Sequence, residues 1–257
     1  MGNTGVLLAI ASGKGGVGKS QTAINLGVAF ALRNKKVLLI DANLPTPDVG
    51  LYLDVNAKKT LNDVLDGKAQ PEEAIYSYKI NGLKIMPANV RMLAPAANEK
   101  NLKGVLEKLK ENYDFVIMDT PPGLDQTVIK TVGLADTLLL VSTPEIVSLT
   151  DAFKTAAVSE LVSKTKVHGV IVNRVGRFKG EAQDKEIAVL MNDNPILGKI
   201  PEDSSIPRAS IRSEAVVIAY PHSPSARAFK KIAANLLGQR YDENGVFETI
   251  LHLLNRN

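Results

Sequence analysis

The sequence predicts a single α/β domain whose mostly parallel central sheet is covered by helices on both faces. Short β-rich apolar runs alternate with longer segments of helical period. No Pro/Gly/Ser-rich linker, low-complexity tract or internal repeat divides the chain. Composition fits this reading, because 257 residues at 45% hydrophobic and 23% charged can bury a sizeable core and are too apolar for a disordered chain.

The first apolar run is 6–11, and the helical segment 22–32 after it is apolar almost all round, which predicts a helix buried centrally. Runs at 37–40 and 83–86 come next, followed by a helix over 101–110 and a run at 115–118. A run at 138–141, a helix over 146–162 and runs at 167–172 and 196–200 complete the alternation. Runs with so few polar positions suit parallel strands, which are buried on both faces. The helix over 226–237 has a clear start signal at Ser223-Pro224 and a buried face of Phe229, Ile232, Ala233, Leu236 and Leu237. It ends near Gly238, so the chain divides into a domain at 1–238, a polar spacer at 239–245 and an apolar-rich tail at 246–257.

Several function classes drop out at once. Cysteine is absent, which excludes disulfides, thiolate nucleophiles, Cys-ligated zinc and Cys-ligated iron–sulfur clusters. No apolar run approaches the roughly 18 residues of a membrane-spanning helix. The net charge of +4 comes from 31 basic and 27 acidic residues, and the basic pairs Lys35-Lys36, Lys58-Lys59 and Lys230-Lys231 are scattered without a basic-aromatic stripe. His168, His222 and His252 have no metal or triad spacing.

Between the first run and the first long helix stands Gly13-Lys14-Gly15-Gly16-Val17-Gly18-Lys19-Ser20, which satisfies G-x-x-x-x-G-K-[ST] in a strand–loop–helix context. Glycines let backbone N–H groups turn inward around phosphate oxygens, and the helix N-terminus adds partial positive charge. Lys19 suits the β- and γ-phosphates, and Ser20 offers a hydroxyl directly to Mg²⁺. A nucleotide–Mg²⁺ site also needs acidic residues at later strand ends. Asp41 and Asp119 fit as water-mediated metal partners, although strand-end aspartates also serve as helix N-caps.

Lys14, a second lysine in the same loop, completes K-G-G-x-x-G-K-[ST] at residues 14–20, and here the chain resembles the MinD/ParA family of deviant Walker A ATPases, closest to the MinD branch. The resemblance runs from Ile10 to Leu237. It takes in Asp119-Thr120-Pro121-Pro122-Gly123, Ser142-Thr143-Pro144-Glu145, Asn173-Arg174, Pro201-Glu202-Asp203, Ile206, Arg208-Ala209-Ser210 and Glu214. It implies ATP and Mg²⁺ as cofactors and a homodimer across bound ATP, with Lys14 reaching the partner's phosphates. Lys19, Asp41 and Asn43 join Lys14 in the catalytic set. Gly123 belongs with the phosphate-side loops, Asn173 and Arg174 with adenine recognition, and Pro201 and Glu202 with the loop packed on the base. Read without the resemblance, Asn173 is a turn residue.

Two departures from the family pattern matter. The family reads Asp-x-Asp where this chain reads Asp41-Ala42-Asn43, and Asn43 can hydrogen-bond a water but cannot act as a base, so the expected ATPase is slow. Asp48, in the following loop, is a substitute carboxylate. Gln21 stands where the family has Thr, with its backbone N–H still available.

Stepping 100° per residue through 246–257 places Val246, Phe247, Ile250, Leu251, Leu253 and Leu254 on one arc of about 160°. Such a tail resembles the C-terminal membrane-targeting helix of the MinD branch, and a last helix folded back on the globule is the alternative. The expectation is a cytoplasmic ATPase, peripherally membrane-associated when ATP-bound. It would position a structure such as the division site and answer to a protein activator or effector. A ParA-like DNA-associated partitioning ATPase and an ATP-gated scaffold with little hydrolysis are the alternatives.

Overall fold

The structure, a computed structural model, describes residues 5–90, 99–192 and 194–242. The tail residues Val246, Phe247, Ile250, Leu251, Leu253 and Leu254 lie outside the described residues. The strands are β1 (Val6–Ala11), β2 (Val37–Asp41), β3 (Tyr76–Ser77), β4 (Leu83–Met86), β5 (Phe115–Asp119), β6 (Thr137–Ser142), β7 (Lys166–Val175) and β8 (Ile196–Pro201). Among the described residues they form one sheet in the order β3-β4-β2-β5-β1-β6-β7-β8. Neighbours are parallel except β3 against β4, which is antiparallel.

Alternation along each strand splits the core into two layers. Leu8, Ile10, Leu39, Ile117, Leu139 and Ile171 face one layer, and Leu7, Ala9, Leu38, Ile40, Val116, Met118, Leu138 and Leu140 face the other. The first layer is covered by α1 (Lys19–Ala31), α9 (Val216–Ala219) and α10 (Pro224–Leu236), the second by α4 (Glu99–Lys110), α5 (Gln126–Val132) and α6 (Ile146–Val158). This is the predicted fold class.

Helix α1 is buried on every side except at Gln21, as its all-round apolar pattern predicts. It starts at Lys19 rather than at residue 22, because the last loop residues already form its first turn. The start signal at Ser223-Pro224 holds as well: the Ser223 side chain accepts from the Ala226 N–H, and Pro224 opens α10. The helix predicted over 146–162 remains α-helical only to Val158. Ser159–Ser163 widen into a π-helical turn, and Lys164 (φ 59°) ends it. The one-turn helix α2 (Val49–Tyr52) and the short helices α3 (Leu61–Leu65), α7 (Asp184–Leu190) and α8 (Ser205–Ile211) were absent from the sequence reading. Four to seven residues carry too little periodicity to register.

Strand β1 lies between β5 and β6, where the chain crosses from one half of the sheet to the other. In α/β sheets of this kind, ligands bind in the crevice beyond the C-terminal strand ends at such a switch point. Residues 12–18 occupy that position, and the register sets Asp119 beside Ile10 on one side and beside Asp41 on the other.

Candidate nucleotide site

The loop after β1 is held by a side chain of its own and by the backbone of the loop after β5. Ser12 Oγ donates to the Lys14 carbonyl at 3.0 Å, and the Gly123 N–H donates to the Ser12 carbonyl at 2.9 Å. Gly18 has φ +89°, and a Cβ there would lie 2.2 Å from Asn173 Nδ2, so both conformation and space require glycine. Asn173 Nδ2 donates to the Val17 carbonyl at 2.7 Å, pinning the loop to the end of β7. Gly13 packs against Asp151 of α6, whose backbone would lie 2.4 Å from an added Cβ.

Inside the loop, Lys19 is 6% exposed, and its Nζ donates to Asp119 Oδ1 at 2.7 Å. The other Asp119 oxygen is buried and has no hydrogen-bond partner. Lys14 lies outside that interior, and its Nζ meets Glu145 Oε2 at 2.9 Å with side-chain exposures of 36% and 33%. The hydrogen bond from Lys14 holds the Glu145 carboxyl below its ordinary pKa. The two lysines therefore occupy different environments, one buried and one partly exposed.

Asp41 is fully buried. Its Oδ1 accepts from the Asn43 N–H at 3.2 Å, and its Oδ2 accepts from the Asp48 and Val49 N–H groups at 3.0 Å each. Burial, with Asp119 beside it, pushes its pKa up to about 8 against the pull of those donors. Asn43 closes on its own loop, donating from Nδ2 to the Thr46 carbonyl at 2.6 Å and to its hydroxyl at 3.0 Å.

Two adjoining cavities open over this floor. The first, about 280 Å³, is lined on the phosphate side by Gly15, Gly16, Lys19, Ser20, Asn43 and Asp48. The second, about 370 Å³, is lined by Asn173, Pro201, Glu202, Asp203, Ile206, Ser210 and Phe229. Gly18, Gln21, Tyr52 and Arg174 line both and form the junction.

Gln21 donates from Nε2 to Ser210 Oγ at 3.1 Å, which ties α1 to α8 across the second cavity. Arg174, in the left-handed region at φ 60°, brings its Nε to 4.0 Å from the Glu202 carboxylate. Asp203 accepts from Ser205 N at 2.8 Å, Ser225 N at 3.0 Å and Ser225 Oγ at 2.7 Å, and so clasps the starts of α8 and α10 beneath the second cavity.

The structure thus brings most of the sequence-predicted residues to two continuous cavities. Gly13, Lys14, Val17, Asp41, Asp119 and Gly123 stand behind or outside the walls. Tyr52 is a lining residue the sequence reading missed, since an aromatic in a one-turn helix has no motif around it. Its phenol is raised above its ordinary pKa by burial and by Asp48 and Asp119, with Arg174 opposing.

A family model described as ParA, NUBPL iron-transfer P-loop NTPase, matches residues 3–237. An uncharacterised ATP-binding protein of Methanocaldococcus jannaschii is 37% identical over 239 residues, covering 92% of this chain and 89% of that protein. The cell division ATPase MinD of Pyrococcus furiosus superposes with a TM-score of 0.85 at 33% identity, covering 91% of this chain and 99% of its own. The septum site-determining protein MinD of Pyrococcus horikoshii, complexed with Mg-ADP, superposes at 0.84 with 33% identity, covering 90% and 95%.

Proposed function

Because the chain belongs to the ParA family of P-loop NTPases, whose structural neighbours include cell division ATPases, we propose that it is a MinD-like ATPase that dimerises on ATP and cycles between cytoplasm and membrane. The observation that carries the reading is the pair of joined cavities, about 280 and 370 Å³, with Lys19 and Ser20 in the first and Asn173 and Pro201 in the second. A triphosphate suits the first, and a base suits the second. Cysteine is absent from the 257 residues, so the iron-transfer part of the family description lacks thiolate ligands in this chain.

The donor set fits Mg²⁺–ATP. Buried oxygens without hydrogen-bond partners occur at Asp48 Oδ1, Asp119 Oδ2 and Asn173 Oδ1, the first two at the phosphate end and the third at the base end. Native buried polar atoms seldom stay unpaired, so such a cluster points to a ligand that satisfies them. Mg²⁺ bound here would supply charge neutralisation at the phosphates. Lys19 would exchange Asp119 for phosphate, Ser20 and the acidic side chains would hold the metal and its waters, and Asn173 would accept from an amino group on the base.

Lys14 is the residue for a second protomer. Leaving Glu145, it reaches phosphate across a homodimer, making ATP the link between subunits. Hydrolysis is slow because Asn43 cannot serve as a base. The tail at 246–257 supplies membrane contact that a dimer doubles, so nucleotide state sets membrane residence by avidity.

The test is co-sedimentation with anionic liposomes, comparing the full chain with one ended at Gly238, each with ATP and with ADP, beside light scattering for dimer mass. Pelleting of the full chain alone, with ATP and as a dimer, is the expected result. Equal pelleting of both chains rejects the tail's role, and salt-sensitive retention on DNA favours a partitioning ATPase instead.

A further inference from the structure

We infer that Asp48, rather than Asp41, is the carboxylate that faces the metal–phosphate end of the site; the inference rests on the nucleotide reading above. Three carboxylates gather near Lys19 and Ser20, and their surroundings differ. Asp41 has both oxygens held by backbone N–H groups and lines neither cavity. Asp119 is ion-paired to Lys19 through Oδ1 and also lines neither. Among the described residues, Asp48 is the one acidic residue on the wall of the phosphate cavity. Its Oδ1 is buried without a hydrogen-bond partner, and the Ser20 hydroxyl interacts with its carboxylate.

The local fold explains how Asp48 arrives there. Asp41 accepts the N–H groups of Asp48 and Val49 at 3.0 Å, anchoring the start of the one-turn helix α2 to the end of β2. The Asp48 carbonyl accepts from the Tyr52 N–H at 2.9 Å, so α2 presents Asp48 at its start and Tyr52 at its end to the same cavity. Asp41 thereby acts as a positioning residue for Asp48.

Asn43 lines that cavity too, but it carries no charge, and both ends of its amide are closed on Thr46, with Oδ1 accepting from the Thr46 hydroxyl at 3.3 Å. The negative charge missing at 43 is supplied from 48 across the same wall. An octahedral Mg²⁺ keeps most of its waters, and a carboxylate beside its hydroxyl ligand orients one of them. Ser20 would be that hydroxyl, and Asp48 the carboxylate next to it.

Binding of a fluorescent ATP analogue to the full chain, titrated in Mg²⁺ and again in EDTA, tests the assignment without turnover. Asp48→Asn preserves size and shape, and Asp48→Ser is a second replacement should the first not fold. The expected result is that either variant loses about 10–100-fold of the affinity gained from Mg²⁺, while the affinity in EDTA does not fall, since a carboxylate beside phosphate only repels it when no metal is bound. Mn²⁺ bound with ADP, read by electron paramagnetic resonance, weakens by a similar factor. Full Mg²⁺-dependent gain in the folded variants overturns the Asp48 assignment and leaves the nucleotide reading intact. A wild-type chain that binds the analogue under neither condition removes both.

Discussion

The two loop lysines are one glycine-rich turn apart in sequence, yet Lys19 is buried on Asp119 and Lys14 is a third exposed on Glu145. Their energetic weight differs accordingly. A surface pair such as Lys14–Glu145 is worth about 0–1 kcal/mol, so Glu145→Ala leaves urea-unfolding stability nearly unchanged. In the proposed dimer, the Lys14 of each protomer must give up Glu145 to reach phosphate, and removing both competitors tightens ATP-dependent dimerisation by up to about thirtyfold. Sedimentation equilibrium in ATP checks this, and a weaker dimer would mean that Glu145 itself contributes to the interface. At this scale Lys14, Lys19 and Ser20 were legible from one contiguous motif. Asp48 was legible as a substitute carboxylate for Asn43, but its place on the cavity wall, like that of Tyr52, depends on α2, and no local pattern announces that turn.

At the scale of elements, the buried helix α1 and the clasp at Asp203 give opposite kinds of prediction. Gly27 sits inside α1, where an added Cβ would meet Leu83, Ile117 and Val37 side chains at 3.5, 3.7 and 3.9 Å, ordinary contact distances. Gly27→Ala therefore gains helix propensity without overpacking and raises stability by about 0.5–1 kcal/mol, measurable by denaturant unfolding. A loss would show that the strand-side packing has no room for a methyl group.

Asp203 holds the starts of α8 and α10. Burial alone would raise its pKa, but hydrogen bonds from Ser225 and Ser205 outweigh it and bring the value to about 2. Since the unfolded value is about 3.9, the carboxylate's contribution is complete above that pH and is lost as pH falls through about 2. Asp203→Asn is expected to lower stability near neutrality by about 1–3 kcal/mol. The gap to wild type narrows between pH 4 and pH 2, and a gap independent of pH would show that charge plays no part in the clasp. The start of α10 was readable from Ser223-Pro224, whereas its link to Asp203, separated by 22 residues, was not.

For the whole molecule, the joined cavities make ligand binding part of stability. Mg-ADP at 100 times its Kd stabilises a one-site protein by about 2.7 kcal/mol, or roughly 5–10 °C in Tm for a chain of this size. Thermal unfolding is expected to show that shift in wild type and to lose most of it in Lys19→Ala. A shift retained in full by the variant would place nucleotide binding elsewhere. The net charge of +4 adds nothing to this account, since the basic pairs that contribute to it are scattered along the sequence.

The sequence by itself determined the α/β class, the strand–loop–helix at residues 6–31 and the identity of the phosphate loop. Apolar period and glycine spacing are local properties, and the backbone expresses them wherever the segment lies. Tertiary structure alone decided which carboxylate meets the cavity. The parallel register sets Asp41 beside Asp119, backbone amides take up both Asp41 oxygens, and the one-turn helix they anchor brings Asp48 to the wall. Burial and hydrogen-bond occupancy depend on what packs around a residue, so three aspartates alike in sequence become a loop anchor, a lysine partner and a cavity wall.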